Sequence, residues 1–250
     1  MRKDEERLAL NFEKLGATGI SLALIEAFSS PAKQHVPLLD ILLDATGEEL
    51  EQRRTSRASR LLKRAKLHNT VANLDELEYH PQRNLDRVTI ERLATCEYLR
   101  THSNVIVISA AGTGKTFLSR ALAHRACEHG YRTKVVSFPA MMRELAHLYK
   151  TDTPKYEKRM RYYSKYSLLV IDEWLCQPPE KQWTLIILEL METRYDETST
   201  IISTQLPTEN WPTVIGNVAL GEAILGRVQA ASFTLRLEGP DLRKRHSRKP

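Results

Sequence analysis

The chain is poor in cysteine. Only Cys96, Cys127 and Cys176 occur in 250 residues, far apart and with no Cys-x-x-Cys pair. That spacing excludes a disulfide framework and a structural zinc site, and reads as a reduced, cytoplasmic protein. The eight histidines show no ligand spacing either. Long apolar runs are also missing: no stretch can span a bilayer, so no membrane partner is expected. The opening residues Met1 to Arg7 are too charged for a signal peptide. No internal repeat is visible. What is present is an ordinary apolar content, with enough length for one large domain plus an appendage or for two small ones. The formal charge of +6 hints at an anionic partner, although many enzymes carry as much.

Two regions differ in character. Residues 1–68 hold no convincing strand and read as a small all-helical N-terminal domain. Glu5 to Leu15 can form a helix stopped by Gly16, and Ile20 to Phe28 a second, stopped at Pro31. After a short apolar stretch from Val36 to Leu43, Thr46-Gly47-Glu48-Glu49 has the form of a capping box. It predicts a long helix opening at Thr46 and running to about Leu67. Ala58, Leu61, Leu62 and Ala65 give that helix a thin apolar stripe, and Arg53, Arg57, Arg60 and Arg64 share another face.

Residues 69–250 make the second domain, opening on a polar connector over 69–83 that His80-Pro81 interrupts. A helix from about Asp86 to Arg100 leads to the apolar runs Asn104–Ser109, Thr133–Phe138, Ser167–Asp172, Ser199–Thr204 and Ser232–Leu237. Helical stretches fall between them, at Thr116–His129, Pro139–Lys150, Thr153–Ser164, Glu180–Tyr195 and Val218–Gln229. Alternation of this kind predicts an α/β fold, a buried parallel sheet flanked by helices.

The segment Ser109-Ala110-Ala111-Gly112-Thr113-Gly114-Lys115-Thr116, with Phe117 after it, follows a strand and opens a helix. It matches a Walker A loop except that Ser109 stands at the first glycine. Serine fits there if the backbone keeps negative φ. Gly112 and Gly114 let the chain turn so that N–H groups point at phosphate, and the helix N-terminus adds its dipole. Lys115 would neutralise the β- and γ-phosphates of ATP, and Thr116 would ligate Mg2+. Leu168-Leu169-Val170-Ile171-Asp172-Glu173 reads as a Walker B strand. Asp172 is expected to hold Mg2+, and Glu173 to orient the attacking water. Gln205, at the end of the next strand, sits where this class places a polar sensor of the γ-phosphate; a polar strand end is also common without any such role.

Together these segments resemble the AAA+ ATPases, and in particular the IstB-type helper ATPases of insertion sequences, themselves similar to the DnaC helicase loaders. Arg57 to Leu67 looks like the basic helix before the ATPase domain. Thr204-Gln205-Leu206-Pro207 with Trp211 looks like the sensor segment. Ala223 to Arg227 and Glu238 to Lys244 look like the arginine-finger and second-sensor segments. The resemblance implies an AAA+ P-loop domain, a finger at Arg227 acting across a subunit interface, and a second sensor at Arg243 acting on its own subunit's nucleotide. Gly226 departs from the acid expected before the finger, which bears on how Arg227 is oriented.

The same resemblance implies ATP-dependent self-assembly, as a ring or helical homo-oligomer, on duplex DNA that is deformed, with recruitment or stimulation of a cognate transposase. Arg53, Arg57, Arg60, Lys63 and Arg64 are the candidate DNA contacts, and Lys155 to Lys165, basic with interleaved tyrosines, is a second candidate. Each also reads as a solvated charged helix face. No base-reading module is evident, so contacts to phosphates and DNA shape are expected. A DnaC-like helicase loader is the alternative function. A metabolic P-loop kinase would need a lid and an acceptor pocket, and neither has a signature here.

Overall fold

Alternate residues of each central strand enter opposite cores, which is why the strands read as unbroken apolar runs. In the computed structural model, which describes residues 3–33, 35–69 and 72–242, the chain forms two compact units, residues 1–60 and 61–250. Five strands make the sheet of the second unit: β1 (Asn104–Ser109), β2 (Thr133–Ser137), β3 (Leu168–Trp174), β4 (Ser199–Thr204) and β5 (Ser232–Leu237). All pairings are parallel, in the order β2-β3-β4-β1-β5. Ile106, Ile108, Leu169 and Ile171 enter one core, while Val105, Val107, Leu168 and Val170 enter the other.

Helices cover both faces. On one side lie α4 (Arg87–Ala94), α5 (Glu97–Arg100) and α6 (Lys115–Glu128), contributing Ile90, Leu93, Leu118 and Leu122. On the other lie α7 (Phe138–Thr151), α8 (Thr153–Ser164), α9 (Lys181–Arg194), α10 (Trp211–Ile215) and α11 (Val218–Gln229), with Phe138, Trp174, Trp183 and Trp211 in their core. The helix expected from Asp86 to Arg100 is two helices. Asp86 caps the first by accepting from the Val88 and Thr89 N–H groups, and Cys96, at φ 60°, breaks the run. Burial pushes the Cys96 thiol up to about 12 and the Cys127 thiol up to about 11, so both are inert packing residues.

The first unit is built from α1 (Lys3–Lys14), α2 (Thr18–Ser29) and the start of α3 (Leu38–Ala65). Ala17, Ile20, Leu24 and Ala45 form its small core. The expected capping box at Thr46 is not a helix start, because α3 begins at Leu38 and runs through it. The Thr46 hydroxyl donates back to the carbonyls of Leu42 and Leu43, and Glu49 accepts from the Gly19 N–H at 2.7 Å. Thus both side chains of the motif have partners other than the ones a cap would use.

Arg194 closes the end of the sheet opposite the strand tips. It is 2 % exposed. Its guanidinium donates to the carbonyls of Tyr163, Ser164, Tyr166 and Ser199 and to Thr200 Oγ1. Burial pulls it down, to about 9, which still leaves it charged at neutral pH. Its removal orphans several buried carbonyls at once. Arg194→Met is therefore expected to destabilise the second unit by roughly 3 kcal/mol. Chemical denaturation followed by tryptophan fluorescence checks this, since all three tryptophans lie in that unit.

Candidate functional site

Parallel strands bring all their C-terminal ends to one edge, and ligands of such sheets bind there. Here that edge gathers the loop after β1, the end of β3 and the end of β4. The loop turns through Gly112 at φ 81° and Gly114 at φ 100°, values that side-chain-bearing residues rarely adopt. A Cβ at Gly112 would also lie 2.0 Å from Asp241 Oδ1, so the Asp241 side chain would have to move aside for one. Ser109 ends β1 in ordinary strand backbone, which is the condition under which serine can stand there. Within the loop, Thr113 Oγ1 donates to the Ala110 carbonyl at 3.0 Å, and Lys115 Nζ approaches the same carbonyl at 3.4 Å. Lys115 is only 8 % exposed, so its ammonium is enclosed by the loop. Ala110 and Ala111 are exposed at the loop's crest, and Phe117 is partly buried in the first turn of α6.

The two motifs meet. Thr116 Oγ1, at the start of α6, donates to Asp172 Oδ2 at 2.9 Å, 56 positions apart in the chain. A hydroxyl beside a carboxylate is a hard-oxygen donor set of the kind magnesium takes, so the residues fit the ion.

Glu173 occupies a special place. The β3–β4 register slips between Ile171 and Trp174, so β3 carries a bulge there. Glu173, at φ 60°, is the bulged residue, and Leu175 follows at φ 48°. Positive φ at a bulky residue is strained, and strain of this kind collects at functional positions. The bulge re-aims the carboxylate out of the strand's alternation. Ser137 Oγ, at the tip of β2, donates to Glu173 Oε2 at 2.8 Å. Sequence reasoning passed over Ser137. The only signal was its position at the end of a neighbouring parallel strand.

At the end of β4, Thr204 is buried and donates to the Trp174 carbonyl at 3.0 Å, which fixes the exposed Gln205 just beyond it. Trp211 is fully buried and its indole N–H donates to the Leu206 carbonyl. Arg227, on α11, donates to Glu192 Oε1 of α9 at 2.5 Å and to the Ala223 carbonyl at 2.8 Å. The carboxylate that meets this guanidinium therefore comes from a different helix, not from position 226. Arg243 lies outside the described residues, as does the basic tail after it.

Arg53, Arg57, Arg60, Lys63 and Arg64 are all exposed along α3. Arg53 is nevertheless engaged inside the first unit, with Glu49 Oε1 at 2.7 Å and the Gly16 carbonyl at 2.8 Å. The hydrogen bond from Arg53, and then the one from the Gly19 N–H, hold the Glu49 carboxyl below its usual range. An open groove of about 600 Å³ runs beside Arg53, Arg57 and Arg60. On α8, two of the three interleaved tyrosines turn inward, and Tyr162 stays exposed. Tyr156 and Tyr163 are buried, and their hydroxyls donate to Glu189 and Glu144. Lys155 pairs with Asp152 and Arg159 with Glu144, both at 2.8 Å. No helix among the described residues is long and apolar enough to cross a membrane.

Comparison with known proteins agrees with this geometry. The sheet and its flanking helices are similar to the crystal structure of DnaI, with a TM-score of 0.57 at 15 % identity over 67 % of this chain and 91 % of that one. They are also similar to the crystal structure of the DnaC helicase loader, with a TM-score of 0.54 at 18 % identity over 67 % and 97 %. The fold is therefore that of the AAA+ P-loop ATPases, with a helical N-terminal region before it. The insertion sequence ATP-binding protein y4pL of Sinorhizobium fredii is 30 % identical over 238 residues, 94 % of this chain and 95 % of that protein. The family model of IstB-like ATP binding proteins matches residues 11–250, and the chain belongs to that family.

Proposed function

We propose that this chain is an ATP-hydrolysing, duplex-DNA-binding helper of transposition. In this reading residues 1–68 serve DNA binding and assembly and residues 69–250 form the ATPase domain. The observation that carries the nucleotide reading is the Thr116–Asp172 hydrogen bond, which joins a phosphate loop to an acidic strand end. The Lys115 ammonium neutralises the β- and γ-phosphates. Thr116 and Asp172 hold Mg2+, which when bound draws charge from the phosphate oxygens. Glu173 orients the water that attacks the γ-phosphorus and takes up its proton as the bond to the leaving ADP oxygen breaks. Gln205 contacts the γ-phosphate from β4. Arg227 leaves Glu192 to reach a neighbouring subunit's phosphates, and Arg243 acts on its own.

Membership in an insertion-sequence family supports duplex DNA and a cognate transposase as partners. The exposed arginines of α3 support a phosphate-contacting surface. Arg57, Arg60 and Arg64 lie along about 10 Å of helix, a reach of a few phosphates. One subunit with so few contacts binds poorly at physiological salt. Several held in register by ATP add their contacts through effective concentration, and DNA is deformed as it follows the assembly.

Lys115→Ala is expected to abolish ATP binding, and Glu173→Gln to keep binding while losing turnover at least about 100-fold. Nucleotide titration and steady-state ATPase assays check both. Normal turnover by Glu173→Gln would remove its assigned role. ATPase stimulation by duplex DNA is expected; stimulation by single strands alone would favour the helicase-loader reading.

The joint substitution Arg57→Ala with Arg60→Ala is expected to weaken duplex binding for all sequences alike, because phosphate contacts carry no base information. The slope of log affinity against log salt should shallow by about 0.9 for each phosphate no longer neutralised. A salt titration with and without a slowly hydrolysed ATP analogue measures this. An unchanged slope would return the face to plain solvation.

A further inference from the structure

Arg83 lies in the segment that sequence reasoning treated as a connector, yet it is only 5 % exposed. A tight turn, Pro81–Arg83, delivers it inward. Its Nη1 donates to the Glu78 carbonyl at 2.9 Å, and its Nη2 to the Thr113 carbonyl, inside the phosphate loop, at 3.2 Å. Its own carbonyl accepts from the Glu238 N–H at 3.1 Å, just after β5. Four residues further on, the Leu242 N–H donates to the Gly112 carbonyl at 2.9 Å. Two successive carbonyls of the loop are therefore held from outside it.

Both anchors are on one side. A Cβ placed on Gly114 would meet Arg83 Nη2 at 2.8 Å and Leu242 Cδ1 at 3.3 Å. A trans peptide is planar, with its N–H pointing opposite to its C=O. Holding the Gly112 and Thr113 carbonyls toward Arg83 and Leu242 turns the N–H groups of Thr113 and Gly114 to the other side. Successive amides aimed the same way form an anion-binding concavity. Unanchored, a loop of alanine, glycine and threonine has many other conformations to visit, and a bound phosphate would have to order it.

We propose that Arg83 is a positioning residue of the nucleotide site. It holds the phosphate loop with its amides directed at the β-phosphate of a nucleoside di- or triphosphate, and the segment after β5 supplies the second anchor. This rests on reading residues 109–116 as the phosphate loop. The guanidinium acts on the loop's carbonyl face and does not touch the phosphate.

The test is displacement of a fluorescent ADP analogue from the full-length protein, with melting temperature recorded for each variant. Arg83→Met keeps the aliphatic stem and removes the donors. It is expected to weaken ADP and ATP binding by about 10- to 100-fold, the range for hydrogen bonds made by a charged group. Displacement by AMP, which lacks the β-phosphate, should be unchanged. The KM for ATP should rise with kcat retained at saturation, as for an effect on binding alone. Arg83→Lys offers one donor site in place of a fork and should recover part of the loss. Leu242→Pro removes the other anchor without touching a buried charge. It is expected to weaken ADP binding in the same phosphate-dependent way, and it decides the matter should Arg83→Met fail to fold. Unchanged ADP affinity in a folded Arg83→Met protein, beside abolished binding in Lys115→Ala, would overturn the role of Arg83 alone. Unchanged affinity in both would overturn the phosphate-loop reading itself.

Discussion

The contact between the Thr116 hydroxyl and the Asp172 carboxylate spans the sheet. β1 and β3 are not neighbours; β4 lies between them. The two motifs meet because all strands run in parallel, so that their tips share one edge, and because α6, which opens after the loop that follows β1, packs against β3. The buried strand pattern, the helices on both faces and the crossovers that carry them are conditions for that one hydrogen bond. Gln205, at the tip of β4, is consequently placed on the same edge as the two motifs, although it belongs to neither.

Much of this was legible because it rests on strong local signals. Four or five apolar residues in a row, ended by a glycine-rich loop or an acidic pair, can be read without any tertiary information. So could α8 and α11, whose ends the capping residues Asp152 and Asn217 define. What escaped depends on partners distant in the chain. Thr46 and Glu49 satisfy the spacing of a capping box, but a helix already running from Leu38 gives Thr46 its own carbonyls, and Gly19 claims Glu49. The bulge that re-aims Glu173 is a mismatch between two strands, invisible in either alone. Ser137 and Arg83 matter through groups 36 and 30 positions away, and nothing in their surroundings in sequence sets them apart.

Charged residues show the same division. The arginine spacing on α3 was readable as a face, but it took the folded unit to show that Arg53 is tied to Glu49 and the Gly16 carbonyl. On α8 the alternation of lysine, arginine and tyrosine suggested a surface, whereas Tyr156 and Tyr163 are core residues whose hydroxyls reach the carboxylates of Glu189 and Glu144. Arg227 is the most consequential case. In the single chain its guanidinium is held by Glu192, an ion pair less than half exposed on the arginine side. A surface pair of this kind is weak, on the order of 1 kcal/mol or less, so a neighbour's phosphates can compete for the arginine. In the proposed reading, the Glu192 pair keeps Arg227 oriented on α11 until a neighbouring subunit's nucleotide takes its place.

That arrangement makes a site divided between subunits the central claim. Its most direct measurement is the specific ATPase activity, per subunit, across a wide range of protein concentration at saturating ATP. The account predicts that activity per subunit rises with concentration as assembly proceeds, and that Arg227→Ala protein stays low throughout while still binding ATP. Activity per subunit that is independent of concentration, with Arg227→Ala as active as the unsubstituted protein, would contradict it.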